Sequence, residues 1–184
     1  MGKIINILGP HGVGKTTFQR YVRDNDLGIV IEGYQFEVPE CGFPTKDDYV
    51  RYEMQYLNKI NEDNRTIMQS DRNGFVIRST EELEYFLRIA TSYKLNESEI
   101  QKILSSGIKS DLLIYLDANE ETLTQRINGD KNRDMNETIQ WYNFFYAKYD
   151  AYFKSRPQVV VIKTDGKIPL DIYEEIMKAL EAKK

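Results

Sequence analysis

One cysteine and one histidine stand among 184 residues, and each scarcity removes a class of function. A single thiol, Cys41, excludes an internal disulfide and a cysteine-built metal site, and fits a reducing, cytoplasmic setting. A single imidazole, His11, has no second histidine beside which to form a metal centre. Cys41 has no such partner to activate it either, so it reads as an inert loop thiol rather than a nucleophile. A basic excess is missing too: 25 Lys and Arg against 29 Asp and Glu leave a net charge of −4. That balance argues against a protein that coats duplex nucleic acid, so an anionic ligand must be held by a few local cations. No apolar run nears the ~20 residues that span a bilayer, and no membrane partner is expected. The chain enters a strand at once, leaving no stretch for a secretory signal. With no linker, repeat or low-complexity tract, one domain over residues 1–184 is expected.

What is present is concentrated at the front. Lys3-Ile4-Ile5-Asn6-Ile7-Leu8 is an apolar strand, and Gly9-Pro10-His11-Gly12-Val13-Gly14-Lys15-Thr16-Thr17 follows it directly. This is G-x-x-x-x-G-K-[ST] between a strand and a helical pattern, the setting a phosphate-binding loop (Walker A) requires. Gly9, Gly12 and Gly14 allow the tight turn that aims successive N–H groups at phosphate oxygens. The positive end of the helix near Lys15 adds to the attraction. Lys15 reaches the β/γ-phosphates, and the Thr16 hydroxyl is the expected Mg²⁺ ligand. His11, Val13 and Thr17 belong to the same nucleotide-binding loop. The expected cofactors are ATP and Mg²⁺.

Behind the loop, strands and helices alternate. Gly28–Ile31 ends at Glu32-Gly33, Phe75-Val76-Ile77 runs into Arg78, Leu112–Leu116 closes on Asp117, and Val159–Ile162 follows. Between them lie helical patterns. Thr45-Lys46-Asp47-Asp48 reads as a capping box opening a long helix to Gln69, and Ser79-Thr80-Glu81-Glu82 opens another with Leu83, Phe86, Leu87 and Ala90 inward. A shorter helix follows Asn96, another spans Glu120–Ile127, and Leu170–Lys184 is the last. An aromatic-striped helix carries Ile139, Tyr142, Tyr146, Tyr149 and Phe153, a spacing that reads as core packing. Unbroken apolar strands joined by helices predict an α/β, three-layer fold with a five-stranded parallel sheet. Ligands on such a sheet sit beyond the carboxyl ends of the strands, where Glu32, Arg78 and Asp117 fall.

The order of the phosphate loop, Val76-Ile77-Arg78-Ser79-Thr80, Leu113-Ile114-Tyr115-Leu116-Asp117, then Arg126-Ile127 and a basic segment with Lys131 and Arg133, resembles the P-loop deoxynucleoside kinases and the thymidylate-kinase-like nucleoside monophosphate kinases. The likeness runs over nearly the whole chain. It implies a P-loop NTPase fold with a short lid over about residues 128–136, hinged at Gly129. Glu32 matches the carboxylate that takes the proton from an acceptor hydroxyl; a solvated Glu at a strand end is the bland alternative. Arg78 matches the Arg of an acidic-Arg-Ser motif that binds phosphate or the acceptor oxygen. Here the acidic position is Ile77, which leaves the metal ligand beyond Thr16 open between Asp117, placed like a Walker B acid, and Glu81.

By the same resemblance Arg126 packs on the donor adenine, and Lys131 and Arg133 close over the phosphates, with Arg133 counted as catalytic. Asp130 stands where a lid arginine is expected. The long helix is where such kinases read the acceptor base, so Tyr52, Glu53, Gln55 and Tyr56 are candidates, although tyrosines at helical spacing also serve as core. Arg72 is a further acceptor-side cation, and Glu137 a candidate for a ribose hydroxyl. The expected function is ATP-dependent phosphoryl transfer to a nucleoside or nucleoside monophosphate. The alternatives are a nucleotide-dependent switch, for which no Asn-Lys-x-Asp motif exists, and a kinase of another small hydroxyl compound. The expected partner is the small-molecule substrate, with a homodimer left open.

Overall fold

Five short strands collect the apolar runs: β1 Ile4–Leu8, β2 Ile29–Ile31, β3 Gly74–Val76, β4 Leu112–Asp117 and β5 Val159–Lys163. In the computed structural model, which describes residues 1–32, 43–90, 93–129 and 147–183, they form one parallel sheet in the order β2-β3-β1-β4-β5. Ile5 lies opposite Phe75 on one side and Leu112 on the other. All carboxyl ends therefore share one edge. The chain order reverses around β1, and a crevice opens beyond such a reversal.

The helices are α1 Lys15–Asp24, α2 Lys46–Gln69, α3 Thr80–Tyr85, α4 Glu97–Leu104, α5 Glu120–Asn128, α6 Ala147–Lys154 and α7 Pro169–Glu181. Side-chain caps start several of them. Thr45 Oγ1 accepts from the Asp48 amide at 3.1 Å, as the sequence pattern expects, and Asn96 and Glu99 form a reciprocal capping box. Strand alternation then sorts the core into two faces. Ile5, Ile7, Leu112, Ile114 and Leu116 pack with Phe18 and Val22 of α1 and Ile172 and Ile176 of α7. On the other face, Leu8, Leu113 and Tyr115 meet Tyr85 of α3 and Tyr149 and Phe153 of α6. Phe153 is fully buried, so the part of the aromatic stripe that is described serves the core as expected.

One helix departs from the sequence pattern. The regular helix expected from Ser79 to Ala90 ends at Tyr85, and Phe86–Ala90 forms a π-helical turn. Leu87 stays buried while Phe86 remains half-buried, in edge contact with Tyr85 at 5.6 Å between ring centroids. The wider turn is held from outside by Arg88, which donates to Glu84 at 2.9 Å and to Glu97 at 2.6 and 3.0 Å. Such turns arise where packing needs override helical regularity. No helix among the described residues is long and apolar enough to cross a membrane.

Candidate active site

The loop between β1 and α1 takes the shape its glycines permit. Gly9 has φ +135°, and a Cβ there would stand 2.4 Å from the Leu116 carbonyl oxygen. Gly12 has φ +78°, with a Cβ placed 2.9 Å from Ile127 Cγ1. Both positions thus need left-handed backbone and close approach to a neighbour. Val13 is buried in the core and pins the loop from beneath. Lys15 folds back, its Nζ donating to the Gly9 and Pro10 carbonyls at 2.5 and 2.8 Å. The first turn of α1 carries no acidic residue, so the partial positive charge of that helix end faces the loop unopposed.

One wall of the adjoining cavity is built around Arg126 on α5. Its Nη1 donates to the Val13 carbonyl and to Thr164 Oγ1, both at 3.1 Å, and Nη2 donates to the Thr164 carbonyl at 3.2 Å. Thr164 Oγ1 itself donates to the Val13 carbonyl at 3.2 Å. With these donors engaged in its plane, Arg126 is fixed in orientation. Its guanidinium face is the surface left for stacking on a planar ring.

The opposite wall comes from the end of β3, from α3 and from α6. Arg78 Nη1 donates to Glu82 Oε2 at 3.0 Å, and Tyr149 Oη donates to Glu82 Oε1 at 2.7 Å. The Glu82 carboxylate beside it raises the Arg78 pKa further above its ordinary value against the pull of burial. Burial above all, then Glu82, holds Tyr149 as the neutral phenol. Ser79 caps α3 by accepting from the Glu82 amide at 3.1 Å and receives Asn6 Nδ2 of β1 at 2.5 Å. Loop, Arg126 wall and Arg78 wall together enclose about 890 Å³, lined by Gly9–Phe18, Ile77, Arg78, Glu82, Phe86, Arg126, Tyr149 and Thr164 among others. That is the upper part of the range of small-molecule sites.

Of the residues singled out from sequence, the cavity brings together Gly9, His11, Gly12, Val13, Gly14, Lys15, Thr16, Thr17, Arg78 and Arg126. Glu32 ends β2 but pairs with Arg23 at 2.6 Å, its side chain 66% exposed. Tyr52 packs on Phe43, with centroids 4.8 Å apart, and Gln55 faces solvent. Tyr56 lies close enough to Arg78 and Glu82 to feel their charges, although burial is the main cause of its raised pKa. Glu53 is buried, and desolvation lifts its carboxyl to about 7 against a hydrogen bond from Tyr49. Lys131, Arg133, Glu137, Cys41 and the lid from residue 130 onward lie outside the described residues.

Two expectations need correction. Arg72 precedes β3, at the amino edge of the sheet, where it holds Asp26 Oδ1 at 2.6 Å and the Gly28 carbonyl at 3.3 Å. A cation at that edge cannot meet an acceptor at the other. Asp117, expected as a metal ligand, is taken by two ammonium groups: Lys154 at 2.9 Å and Lys163 at 2.5 Å. Burial works to raise its pKa, and these two lysines outweigh it and leave it lowered. Glu81, the other candidate, accepts from the Ser110 amide at 2.9 Å and its hydroxyl at 3.1 Å. Glu82 is the residue the sequence reading passed over. Its four-residue spacing from Arg78 at a helix start, the spacing of helical ion pairs, was the available signal.

No family model matches the chain. A stretch of 96 residues is 28% identical to the thymidylate kinase of Chlorobaculum parvum, covering 46% of this chain and 44% of that protein. The chain thus spans under half the length of the curated relative it matches. Among solved structures, a deoxyadenosine kinase from M. mycoides, described with products dCMP and dCDP, aligns over 97% of this chain and 99% of that one, with a TM-score of 0.61 at 16% identity. The thymidylate kinase of Candida albicans aligns over 98% and 92%, with a TM-score of 0.66 at 13% identity. A sugar kinase from Janibacter sp. aligns over 98% and 95%, with a TM-score of 0.55 at 16% identity. In its five-stranded parallel sheet and the loop that follows β1, the chain has the fold of the P-loop deoxynucleoside and thymidylate kinases.

Proposed function

We propose that the chain is an ATP- and Mg²⁺-dependent kinase acting on a nucleoside or nucleotide, with a nucleoside hydroxyl as the favoured acceptor. The observation that carries the reading is the convergence of the glycine loop, Lys15, Arg126 and Arg78 on one cavity. Loop amides and Lys15 hold the triphosphate, and the flat face of Arg126 carries the donor base. Arg78 meets the acceptor from across the cavity. Transfer is direct: the acceptor oxygen bonds the γ-phosphorus as the bond to the β-phosphate oxygen breaks, and ADP leaves. Glu32 takes the hydroxyl proton once it turns from Arg23, and Lys131 and Arg133 add shielding charge. The enzyme is read as cytoplasmic.

Among the described residues no cluster of three or more acidic, His or Cys side chains is placed to hold a metal. Mg²⁺ does not need one, since it keeps several waters and binds through substrate phosphates and one or two protein oxygens. Thr16 lines the cavity and fits that donor set, whereas Asp117 does not. When bound, Mg²⁺ would neutralise charge on the β/γ oxygens.

Charge separates the two acceptor types. A monophosphate brings a charge near −2 at neutral pH, as phosphoryl groups with a second pKa near 6 do. On the acceptor side Arg78 is already balanced by Glu82. The sequence adds no Lys or Arg between residues 33 and 42, where Glu37 and Glu40 are the charged residues. An uncharged nucleoside suits that wall better. The sugar-kinase neighbour keeps a different small hydroxyl compound as the second reading. Screening nucleosides, nucleoside monophosphates and simple sugars for ADP release decides among them. Nucleoside-dependent ADP release far above basal hydrolysis is expected; slow hydrolysis indifferent to every acceptor would indicate a switch instead.

A further inference from the structure

We propose that Glu82, braced by Tyr149, is a positioning residue that aims Arg78 at the acceptor oxygen. This rests on the kinase reading above. An arginine side chain has several rotatable bonds, so an untethered guanidinium at a cavity wall would present its donors in many directions. Here Glu82 Oε2 fixes Nη1 at 3.0 Å, and Tyr149 Oη occupies Oε1 at 2.7 Å. The carboxylate is thus held at both oxygens. Its backbone is held as well, by Ser79 Oγ at 3.1 Å, which Asn6 anchors to β1.

The exposures show which way the pair works. The Glu82 side chain is 7% exposed and that of Arg78 37%. The carboxylate is sunk in the wall while the guanidinium stays open to the cavity with N–H groups to spare. Stability alone is a poor reason for this arrangement, because burying an ion pair costs desolvation that its attraction often fails to recover. Glu82 is also the only carboxylate among the described residues lining the cavity. Ile77 beside it is apolar, and Glu81 is engaged by Ser110. Among the described residues, no other acid on this wall is placed to orient Arg78.

The test uses the full chain, the Glu82→Gln, Tyr149→Phe and Arg78→Ala variants, and the Glu82→Gln/Arg78→Ala pair. Kinetics are run with ATP and whichever nucleoside gives the highest turnover in the screen. Glu82→Gln is expected to lower kcat about 30-fold and Tyr149→Phe about fivefold, with KM for ATP within about twofold of the parent, as for loss of an interaction made in the transition state. In the Arg78→Ala background, Glu82→Gln should add less than about twofold, because the two act as a unit. An unchanged kcat, or an equal loss in both backgrounds, overturns the proposal. Nitrogen-15 NMR of the Arg78 side chain reads the same point without turnover: its Nη signals should be resolved in the parent and averaged in Glu82→Gln. If no acceptor supports turnover in the parent, the kinase reading fails. The NMR comparison still decides, since resolved signals persisting in Glu82→Gln refute the positioning role. Should Glu82→Gln misfold, the same NMR criterion applied to Tyr149→Phe decides.

Discussion

Arg126 and Val13, 113 residues apart in sequence, are joined by a 3.1 Å hydrogen bond from guanidinium to carbonyl oxygen. Through it the middle of the phosphate loop is tied to α5, the helix that leads into the segment read as the lid. Thr164, just past the end of β5, completes the junction. Any molecule that stacks on Arg126 would therefore rest on a support registered to the glycine loop.

Lys15→Ala should abolish turnover and reduce ATP affinity by at least about a hundredfold, since the ammonium is the loop's own charge on the β/γ-phosphates. The fold should survive, because the hydrogen bonds Lys15 Nζ gives to the Gly9 and Pro10 carbonyls stay within the loop rather than in the hydrophobic core. Calorimetry with ATP and Mg²⁺ measures the loss; retention of most activity would remove the donor site.

Glu32→Gln should lower kcat by about 10²-fold or more, the usual reach of general base catalysis, while ATP affinity stays near the parent value. The pair with Arg23 is solvent-exposed at both ends, so breaking it costs little stability. Steady-state kinetics beside an ATP titration separate the two effects. Unchanged turnover would leave Glu32 as a strand-end ion pair.

Asp117→Asn tests the correction made to the metal assignment. The concentration of Mg²⁺ for half-maximal activity should stay within about twofold, whereas stability should fall by about 2 kcal/mol as Lys154 and Lys163 lose their shared carboxylate, a discounted value because Lys163 is well exposed. A thermal melt and a Mg²⁺ titration read these separately. A tenfold rise in the Mg²⁺ requirement would restore Asp117 as a ligand.

Glu53 supplies a pH dependence. Its carboxyl titrates at about 7 in the fold against 4.5 for the ordinary group. Between those values the folded chain holds a proton that the unfolded chain has released, so this contribution to stability is complete below pH 4.5 and is lost as pH rises through 7. At ~1.36 kcal/mol per unit the loss is about 3 kcal/mol. Glu53→Gln should therefore match the parent near pH 4.5 and exceed it at pH 8. Melting curves at the two values measure it; a gap that does not change with pH would rule out Glu53 as the source.

The parts legible in the sequence are those specified locally. The glycine loop, the Thr45 cap and the alternating strands each declare themselves within a few residues, and the sheet follows from them. Asp117 was misread because its strand-end pattern is the same whether a metal or a lysine faces it. Its partners stand 37 and 46 residues away. Glu81 and Glu82 are adjacent in sequence, yet successive helical positions point about 100° apart, so one meets Ser110 and the other Arg78. The π turn at Phe86 was hidden for a similar reason: Arg88 within it reaches Glu97 on the following helix, a contact no local propensity encodes.

Asn6 lies in the middle of β1, a strand whose far end delivers the phosphate loop, and its amide grips Ser79 on the opposite flank of the crevice. One strand thus ties the loop on one flank of the crevice to the α3 wall on the other. A shift of β1 would therefore move the glycine loop and the start of α3, next to Arg78, in the same direction rather than apart.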